Sequence, residues 1–245
     1  MPELSICVPV YRPHDAPNLA TLAAALPAAL AGMDAELVVA LNGVDAATAG
    51  APPDAMTVDL GVNRGVAPAW NAAAAAARAE LLCFCNDDLL PGPESFALLA
   101  GVLRERDDAG VVGPVGARWD IPRGRHLELV DLAGRRPGEL APCEAISGFM
   151  FACRRETWEK VGGFDERYAP LSWEEIDFCA AVRAAGLRCY AVAGVEHEHE
   201  FGVSSPQRPW RRIRWDRRSQ SIWWIHRRNR RLFLRKWSQA DLGEP

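Results

Sequence analysis

The apolar run at residues 82–85 ends abruptly in one amide and two adjacent carboxylates, those of Asn86, Asp87 and Asp88. A short apolar run of this kind predicts a buried strand. Two neighbouring negative charges at the end of such a strand repel each other, and a divalent cation that binds a diphosphate would remove the repulsion. A polar turn explains these residues equally well, because the turn formers Pro91-Gly92-Pro93 follow. The rest of the chain has to decide between the two.

Strand and helix patterns alternate along the first half of the chain. Strands are predicted at residues 6–11, 37–41, 57–60 and 81–85, and helices after the first strand and at 66–78. This alternation predicts an α/β fold with a mostly parallel sheet and helices on both faces. Ligands of such sheets bind beyond the carboxyl ends of the strands. Three polar clusters fall there, namely Tyr11-Arg12, Asn42-Gly43 and Asn86-Asp87-Asp88.

Capping residues predict where two of the helices begin. Asp15 is expected to cap a helix of four regularly spaced leucines that Pro27 should kink or break and Gly32 should end. Ser172 is expected to cap a later helix that continues to Ala185. These positions set the register of the side chains that each helix presents.

An acidic cluster, Glu174, Glu175 and Asp177, falls in the first turn of that later helix. The helix dipole stabilises acids there, but three acids within four residues exceed what a cap requires. Glu174 and Asp177 are expected to share one helix face, while Glu175 projects elsewhere. A carboxylate at a helix start, close to a substrate hydroxyl, is well placed to act as a general base.

Two histidines, His197 and His199, are predicted to lie on one face of a strand. A lone histidine is more often structural than a metal ligand. Two aligned histidines, together with the predicted carboxylates, favour a metal site with oxygen and imidazole ligands. Such a site suits Mn²⁺ and tolerates Mg²⁺.

Charge is distributed unevenly along the 245 residues. Residues 1–207 contain 16 basic and 29 acidic side chains, whereas residues 208–245 contain 12 basic and 3 acidic ones and five of the nine tryptophans. This tail could be an interfacial helix on an anionic membrane or a terminal helix packed on its own domain. Nucleic-acid binding is a third interpretation, which the acidic body opposes, and we predict no nucleic-acid partner.

The location of the protein is predicted from what its sequence lacks. No run of eighteen apolar residues is present, and the N-terminus has no basic segment followed by an apolar one. We therefore expect a cytoplasmic protein that is either free or peripheral at the inner face of the membrane through residues 208–237. The seven cysteines include no paired C-x-x-C elements with zinc spacing, and Cys83 and Cys85, which lie two apart on one predicted strand, are expected to fill core space.

Taken in order, these motifs resemble family-2 glycosyltransferases with the GT-A fold, and in particular their bacterial rhamnosyltransferase-like branch. Asn86-Asp87-Asp88 stands where that family has its DXD motif. The other segments that carry the resemblance are residues 5–11, Asn63-Arg64-Gly65 with Asn71, Ser147-Gly148-Phe149, residues 162–166, and residues 173–179 followed by Arg183, Gly186 and His199.

The resemblance implies metal-dependent, inverting transfer of a hexosyl or deoxyhexosyl group from a dTDP-, UDP- or GDP-linked donor to an acceptor hydroxyl. The acceptor could be a lipid-linked glycan, a protein or a small natural product. Asp88 and His199 would bind Mn²⁺ or Mg²⁺, and Glu175 would be the base, with Glu174 and Asp177 beside it. The donor would contact Pro9, Tyr11, Asn42, Asn63, Arg64, Asn86, Asp87 and Gly148.

The same resemblance implies a catalytic domain at residues 1–207 and a helical extension at 208–245. Residues 1–115 would bind the nucleotide and residues 116–207 the acceptor. Three positions depart from the family pattern: Leu41 replaces an acid that helps to select the base, Asn86 replaces the first acid of DXD, and Glu175 replaces an aspartate.

Two other functional classes are compatible with parts of this pattern. A sugar-phosphate nucleotidyltransferase would need a glycine-rich basic loop after the first strand, and Arg12-Pro13-His14-Asp15 contains no glycine. A non-catalytic nucleotide-sugar-binding or membrane-associated protein would keep the binding residues without turnover. Measured transfer distinguishes that class from an enzyme.

Overall fold

The computed structural model describes residues 1–11, 18–199 and 209–245, and a central sheet of eight strands organises them. The strands are β1 Leu4–Val10, β2 Ala35–Leu41, β3 Met56–Asp59, β4 Leu81–Cys85, β5 Leu89–Pro91, β6 Ala109–Gly113, β7 Gly116–Asp120, β8 Arg125–Leu129, β9 Leu140–Cys143, β10 Ala145–Ile146, β11 Met150–Arg154, β12 Arg188–Val192, β13 His197–His199, β14 Arg212–Trp215 and β15 Arg218–Ser221. The order of the strands in the central sheet is β3-β2-β1-β4-β11-β6-β12-β9.

Most strand pairs in this sheet are parallel. Strand β1 pairs in parallel with β2 and β4, β2 with β3, and β6 with β12, whereas β11 is antiparallel to β4 and β6 and β9 is antiparallel to β12. All five residues of β4 are buried, as expected for a parallel strand that is covered on both sides. The predicted α/β fold with a mostly parallel sheet is confirmed.

Helices cover both faces of the sheet. On one face α1 and α4 bury Leu22, Phe96 and Leu99, and on the other face Trp70, Phe178 and Phe233 come from α3, α6 and α7. The helices are α1 Leu19–Leu30, α2 Ala46–Ala49, α3 Val66–Ala76, α4 Ser95–Glu105, α5 Arg155–Val161, α6 Glu174–Ala184 and α7 Ile222–Trp237.

The first helix differs from its prediction at both points that the sequence indicated. Asn18 caps α1, and the predicted cap Asp15 lies outside the described residues. The predicted break at Pro27 is wrong, because α1 continues through it to Leu30. Buried residues on either side, Leu22 and Ala29, hold the helix against the sheet and outweigh the hydrogen bond that a proline cannot donate.

The start of α6 also differs from its prediction. Trp173, not Ser172, is the N-cap, and it caps with a left-handed backbone (φ 79°) and no side-chain hydrogen bond. The ring of Trp173 packs against Trp119 and Phe233, with centroids 5.7 and 5.0 Å apart. These aromatic contacts explain why the helix begins one residue later than the serine would set it.

The C-terminal helix α7 is packed on the domain, as one of the three interpretations of the tail predicted. Its Asn229 is fully buried and donates through Nδ2 to the carbonyl oxygens of Tyr168, Leu171 and Ser172 at 2.7, 3.0 and 2.9 Å. A two-stranded hairpin, β14–β15, precedes α7 and was not predicted. Residues 209–245 therefore contribute both a hairpin and a helix to the fold.

Two predictions from composition can be compared with the structure. Cys83 and Cys85 are buried, which confirms their predicted place in the core, and the other five cysteines are buried and free as well. Within the described ranges, no helix combines the length and the apolar character that crossing a bilayer requires.

Candidate active site

A cleft of about 660 Å³ lies beyond the carboxyl ends of β1, β2 and β4, where a sheet of this kind binds ligands. Its volume is in the range of small-molecule sites. Residues that are far apart in the sequence meet at this edge of the sheet. The predicted site residues that line the cleft are Pro9, Tyr11, Asn42, Asn63, Asn86, Asp87, Gly148, Glu174, Glu175 and His199.

Asn42 fixes the loop that borders the cleft. Its Oδ1 accepts a hydrogen bond from the Arg64 amide at 2.7 Å, and its Nδ2 donates to the Gly65 carbonyl at 3.2 Å. The structure does not bring the Arg64 side chain to the cleft, because this residue is exposed and only its backbone is held. Gly65 is required at this turn, since it has φ +100° and a Cβ there would lie 2.7 Å from Pro170 Cα.

Asn63 attaches the C-terminal hairpin to the mouth of the cleft. Its Nδ2 donates to the Arg214 carbonyl at 2.7 Å, and its own carbonyl accepts from the Asp216 amide at 2.7 Å. Through this attachment Arg211, Arg212, Ile213 and Arg214 line the cleft. These arginines were not among the predicted site residues. The excess of basic over acidic side chains in residues 208–245 was the signal that could have indicated them.

Asp88 and His199 lie together at the inner end of the cleft. Strand β13 pairs with β5, which brings His199 Nε2 to 3.2 Å from Asp88 Oδ1 and to 3.2 Å from Asn86 Nδ2. The His199 ring stacks on Phe149, with centroids 4.7 Å apart and planes 13° apart. Asp88 is only 2% exposed and does not line the cleft itself. His199, which contacts the Asp88 carboxylate, lies between it and the cleft.

The chemistry of this cluster fits a divalent cation. Burial and the negative charge of Asp88 raise the pKa of Asp87 to about 7. A cation beside these two carboxylates would offset their repulsion. In the part of the chain that the structure describes, no donor is aligned for a hydrogen bond to Asp88 Oδ1, although His199 is near. No group of three metal-ligating side chains occurs within the same ranges. Asp88 and His199 would therefore share the cation with substrate oxygens or water, as Mg²⁺ sites commonly do.

Glu174 and Glu175 line the opposite part of the cleft at the start of α6. Burial and the negative charge of Glu175 raise the pKa of Glu174, and burial raises the pKa of Glu175. The amides of Glu175 and Ile176 at the helix start partly offset that burial and favour the ionised form of Glu175. Both carboxyls therefore hold their protons more tightly than an exposed glutamate does.

Gly148 gives the Glu175 side chain its position. A Cβ on Gly148 would lie 3.2 Å from both Cγ and Cδ of Glu175, which is closer than ordinary van der Waals contact. The Glu175 side chain therefore packs directly on the backbone of residue 148. This contact holds a carboxylate with a raised pKa at the surface of the cleft.

Asp177 does not lie in the cleft, and its predicted place beside the base is corrected. Its Oδ1 accepts from Tyr168 Oη at 3.0 Å and from Trp237 Nε1 at 2.7 Å, and its Oδ2 accepts from Lys236 Nζ at 2.7 Å. The residue is 2% exposed and faces α7, away from Glu174. Glu174 lines the cleft together with Glu175, whereas Asp177 faces α7. The prediction that Glu174 and Asp177 share one face of the helix is therefore wrong.

The model of the family described as Glycosyl transferase family 2 matches residues 5–162. A protein of Sinorhizobium fredii described as "Uncharacterized protein y4gI" is 27% identical over 198 residues. The match covers 71% of this chain and 20% of that protein, so the chain spans about a fifth of the length of this relative.

Two solved structures share the fold. "Crystal structure of GalNAc-T7 with UDP, GalNAc and Mn2+" matches with a TM-score of 0.65 and 14% identity over 81% of this chain and 44% of that one. "Mannosyltransferase PcManGT from Pyrobaculum calidifontis in complex with GDP-Man and Mn2+" matches with a TM-score of 0.52 and 20% identity over 77% and 54%. At these identities the similarity establishes the GT-A fold of this chain.

Proposed function

This chain belongs to glycosyl transferase family 2, and we propose that it transfers a sugar from a nucleotide-diphosphate donor to an acceptor hydroxyl with inversion at the anomeric carbon. One observation carries the proposal: the raised-pKa carboxylate of Glu175 and the cluster around His199 open into the same cleft. A base on one side and a charged diphosphate site on the other are what a single displacement requires.

The donor is proposed to be linked to dTDP, UDP or GDP and to carry a hexosyl or deoxyhexosyl group, as in the rhamnosyltransferase-like branch. Pro9, Tyr11 and Asn63 would face the nucleoside, and Asp87 the ribose. The cleft volume supports a ligand of this size. The two structural neighbours are described with UDP and with GDP-Man, which supports the general class of donor.

Asp88 and His199 are proposed to hold Mn²⁺ or Mg²⁺, with Asn86-Asp87-Asp88 in the place of a DXD motif. When bound, the cation would offset the negative charge that develops on the departing diphosphate. Both neighbours are described with Mn²⁺, which supports a divalent metal. Arg211 and Arg214, which line the cleft from the hairpin, add positive charge near the same group.

Glu175 is proposed to accept the proton of the acceptor hydroxyl. The hydroxyl oxygen then forms a bond to the anomeric carbon while the bond from that carbon to the diphosphate oxygen breaks on the opposite face, which inverts the centre. Glu174, which retains its proton because its pKa is raised, would donate a hydrogen bond within the cleft.

The acceptor is proposed to be the hydroxyl of a lipid-linked glycan, which a cytoplasmic enzyme at the inner face of the membrane would reach. Residues 1–115 would bind the donor, residues 116–207 the acceptor, and residues 208–245 would form the extension. The hairpin within that extension lines the donor cleft, so the third segment also contributes to binding.

The test separates binding from turnover. Stabilisation by UDP, dTDP and GDP with Mn²⁺ is measured by thermal shift, and release of nucleoside diphosphate from the matching sugar donors is measured as turnover. We expect Glu175→Gln to lower turnover at least about 100-fold while the thermal shift persists. Glu105→Gln, an exposed control in α4, should change neither quantity. Equal turnover of wild type and Glu175→Gln would reject Glu175 as the base, and stabilisation without turnover by the wild type would favour a non-catalytic binding protein.

A further inference from the structure

The C-terminal helix α7 has two unlike faces. One face packs into the core through Ile225, Asn229, Phe233 and Trp237. The opposite face consists of side chains three and four residues apart that are all exposed. We call it the Trp-Arg face, and its members are Trp223, Trp224, Arg227, Arg230, Arg231 and Arg235.

The aromatic members of this face are unusually exposed for their size. Trp223 is 48% and Trp224 is 54% exposed, and Trp210, which precedes the hairpin, is 75% exposed. By contrast, the four tryptophans before residue 200, at positions 70, 119, 158 and 173, are buried or half-buried. An indole with one apolar body and one N–H group is suited to a boundary between water and hydrocarbon.

Three arginines of this face have no carboxylate partner among the residues that the structure describes, since none of Arg227, Arg231 and Arg235 forms an ion pair there. Arg227 lies over the Trp223 ring at 5.3 Å, and Arg230 donates to the Arg123 carbonyl at 2.8 Å. Because residues 1–207 carry a net charge of −13, the positive charge of the molecule is concentrated in this segment.

Two shallow grooves run along the Trp-Arg face. One, of about 420 Å³, lies between Trp224 and the arginines 228, 231 and 235, and the other, of about 430 Å³, lies between Trp223 and the arginines 227, 230 and 231. Each combines an indole with several guanidinium groups, the pairing that recognises a phosphate at an interface. Trp173 lines the second groove, and its neighbours in the chain, Ser172 and Glu174, line the cleft.

We propose that the Trp-Arg face, together with Trp210, docks the protein on a lipid surface that contains anionic phospholipids. Exposed indoles would enter the interfacial layer, and the arginines would bind headgroup phosphates. The net negative charge of residues 1–207 opposes the binding of a nucleic acid to this protein. The docking does not depend on glycosyl transfer, but with the proposed function it places the catalytic cleft beside lipid-borne acceptors.

The test is co-sedimentation of the full chain with vesicles of phosphatidylcholine alone and of phosphatidylcholine mixed with phosphatidylglycerol. We expect binding to the mixed vesicles only, and we expect it to weaken with added salt. Arg231→Gln with Arg235→Gln should weaken binding about fivefold for each arginine removed. Arg135→Gln with Arg136→Gln, which removes the same charge from exposed arginines outside α7, should bind like the wild type.

A second measurement addresses the tryptophans. Brominated acyl chains should quench tryptophan fluorescence of the wild type, and Trp223→Ala with Trp224→Ala should remove most of this quenching. These side chains are exposed, so circular dichroism and melting temperature should remain unchanged. The proposal fails if the mixed vesicles are not bound. It also fails if Arg231→Gln with Arg235→Gln, or Trp223→Ala with Trp224→Ala, binds them as well as the wild type does. Light scattering that shows a dimer which dissociates in these two variants would overturn it too, because a second copy would then cover this face. None of these measurements requires turnover, so their outcome is independent of the proposed function.

Discussion

Trp237 Nε1 donates a hydrogen bond to Asp177 Oδ1 at 2.7 Å and thereby joins the C-terminal helix to the helix that begins with Glu174. Lys236 Nζ donates to the second carboxylate oxygen at 2.7 Å. Tyr168 completes the set of partners at 3.0 Å. The C-terminal helix is thus part of the support of the proposed catalytic helix.

Asp177→Asn tests whether this residue supports the fold or takes part in transfer. The amide keeps the shape but removes the charge that Lys236 and Trp237 contact, so the free energy of unfolding should fall by about 2–3 kcal/mol. Urea denaturation measures this change, with the exposed Asp54→Asn as the control. Unchanged stability combined with lost turnover would restore a catalytic role for Asp177.

Gly148→Ala should disturb the position of Glu175. The added methyl group would meet Glu175 at 3.2 Å and push its carboxylate aside. We expect kcat to fall roughly ten- to a hundredfold and KM for the donor, which residue 148 is also predicted to contact, to rise by a smaller factor. Gly101→Ala is the matched control, since a Cβ at position 101 contacts nothing within 4 Å. A change in donor KM alone would contradict this interpretation.

Asn63→Ala should loosen the hairpin that borders the cleft, because the bond from Asn63 Nδ2 to the Arg214 carbonyl is lost. Amide hydrogen exchange at residues 212–221 should become faster, and the affinity for the nucleoside diphosphate should fall about fivefold. Asn18→Ala removes the cap of α1 and should lower stability by about 1 kcal/mol without changing that affinity. Equal exchange rates in wild type and Asn63→Ala would show that the hairpin is held in another way.

Glu174→Gln should change the dependence of stability on pH. The folded state raises the pKa of Glu174 from an ordinary 4.5 to about 8, so the folded state binds this proton more tightly than the unfolded state does. The carboxyl therefore costs stability progressively as pH rises from 4.5 through 8, and the glutamine variant avoids this loss. Melting temperatures of the two proteins should converge near pH 4 and diverge in favour of the variant near pH 8. The exposed Glu105→Gln should show no such divergence.

Asp88→Asn tests the proposed metal site. Mn²⁺ together with a nucleoside diphosphate should stabilise the wild type more than the diphosphate alone, and EDTA should abolish the difference. The variant should lack this metal-dependent part of the thermal shift, because it has lost one of the two protein ligands. Asp107→Asn, an exposed control, should retain it. A full metal-dependent shift in Asp88→Asn would exclude Asp88 as a ligand.

The central sheet was predictable because local apolar runs decide it. Strands β1, β2 and β4 bury most of their own residues, and polar groups at the strand ends follow from the parallel topology. The same logic predicted that Tyr11, Asn42 and Asn86 would meet at one edge of the sheet, and all three line the cleft.

The hairpin was not predicted, because each of its strands has only four residues. In β14 only Ile213 and Trp215 alternate with arginines, and β15 contains no apolar residue. The position of the hairpin depends on Asn63, which is 151 residues away from Arg214. The place of Asp177 likewise depends on Lys236 and Trp237, about 60 positions further along the chain. Contacts of this range leave no periodic signal near the residue itself.

The mouth of the cleft combines Tyr11, near the beginning of the sequence, with Arg211 to Arg214, which translation adds some 200 residues later. A nascent chain that has exposed only its first strands lacks Glu174, Glu175, His199 and the hairpin, so its cleft is incomplete. Under the proposed function, such an incomplete chain would not sequester nucleotide sugar during synthesis.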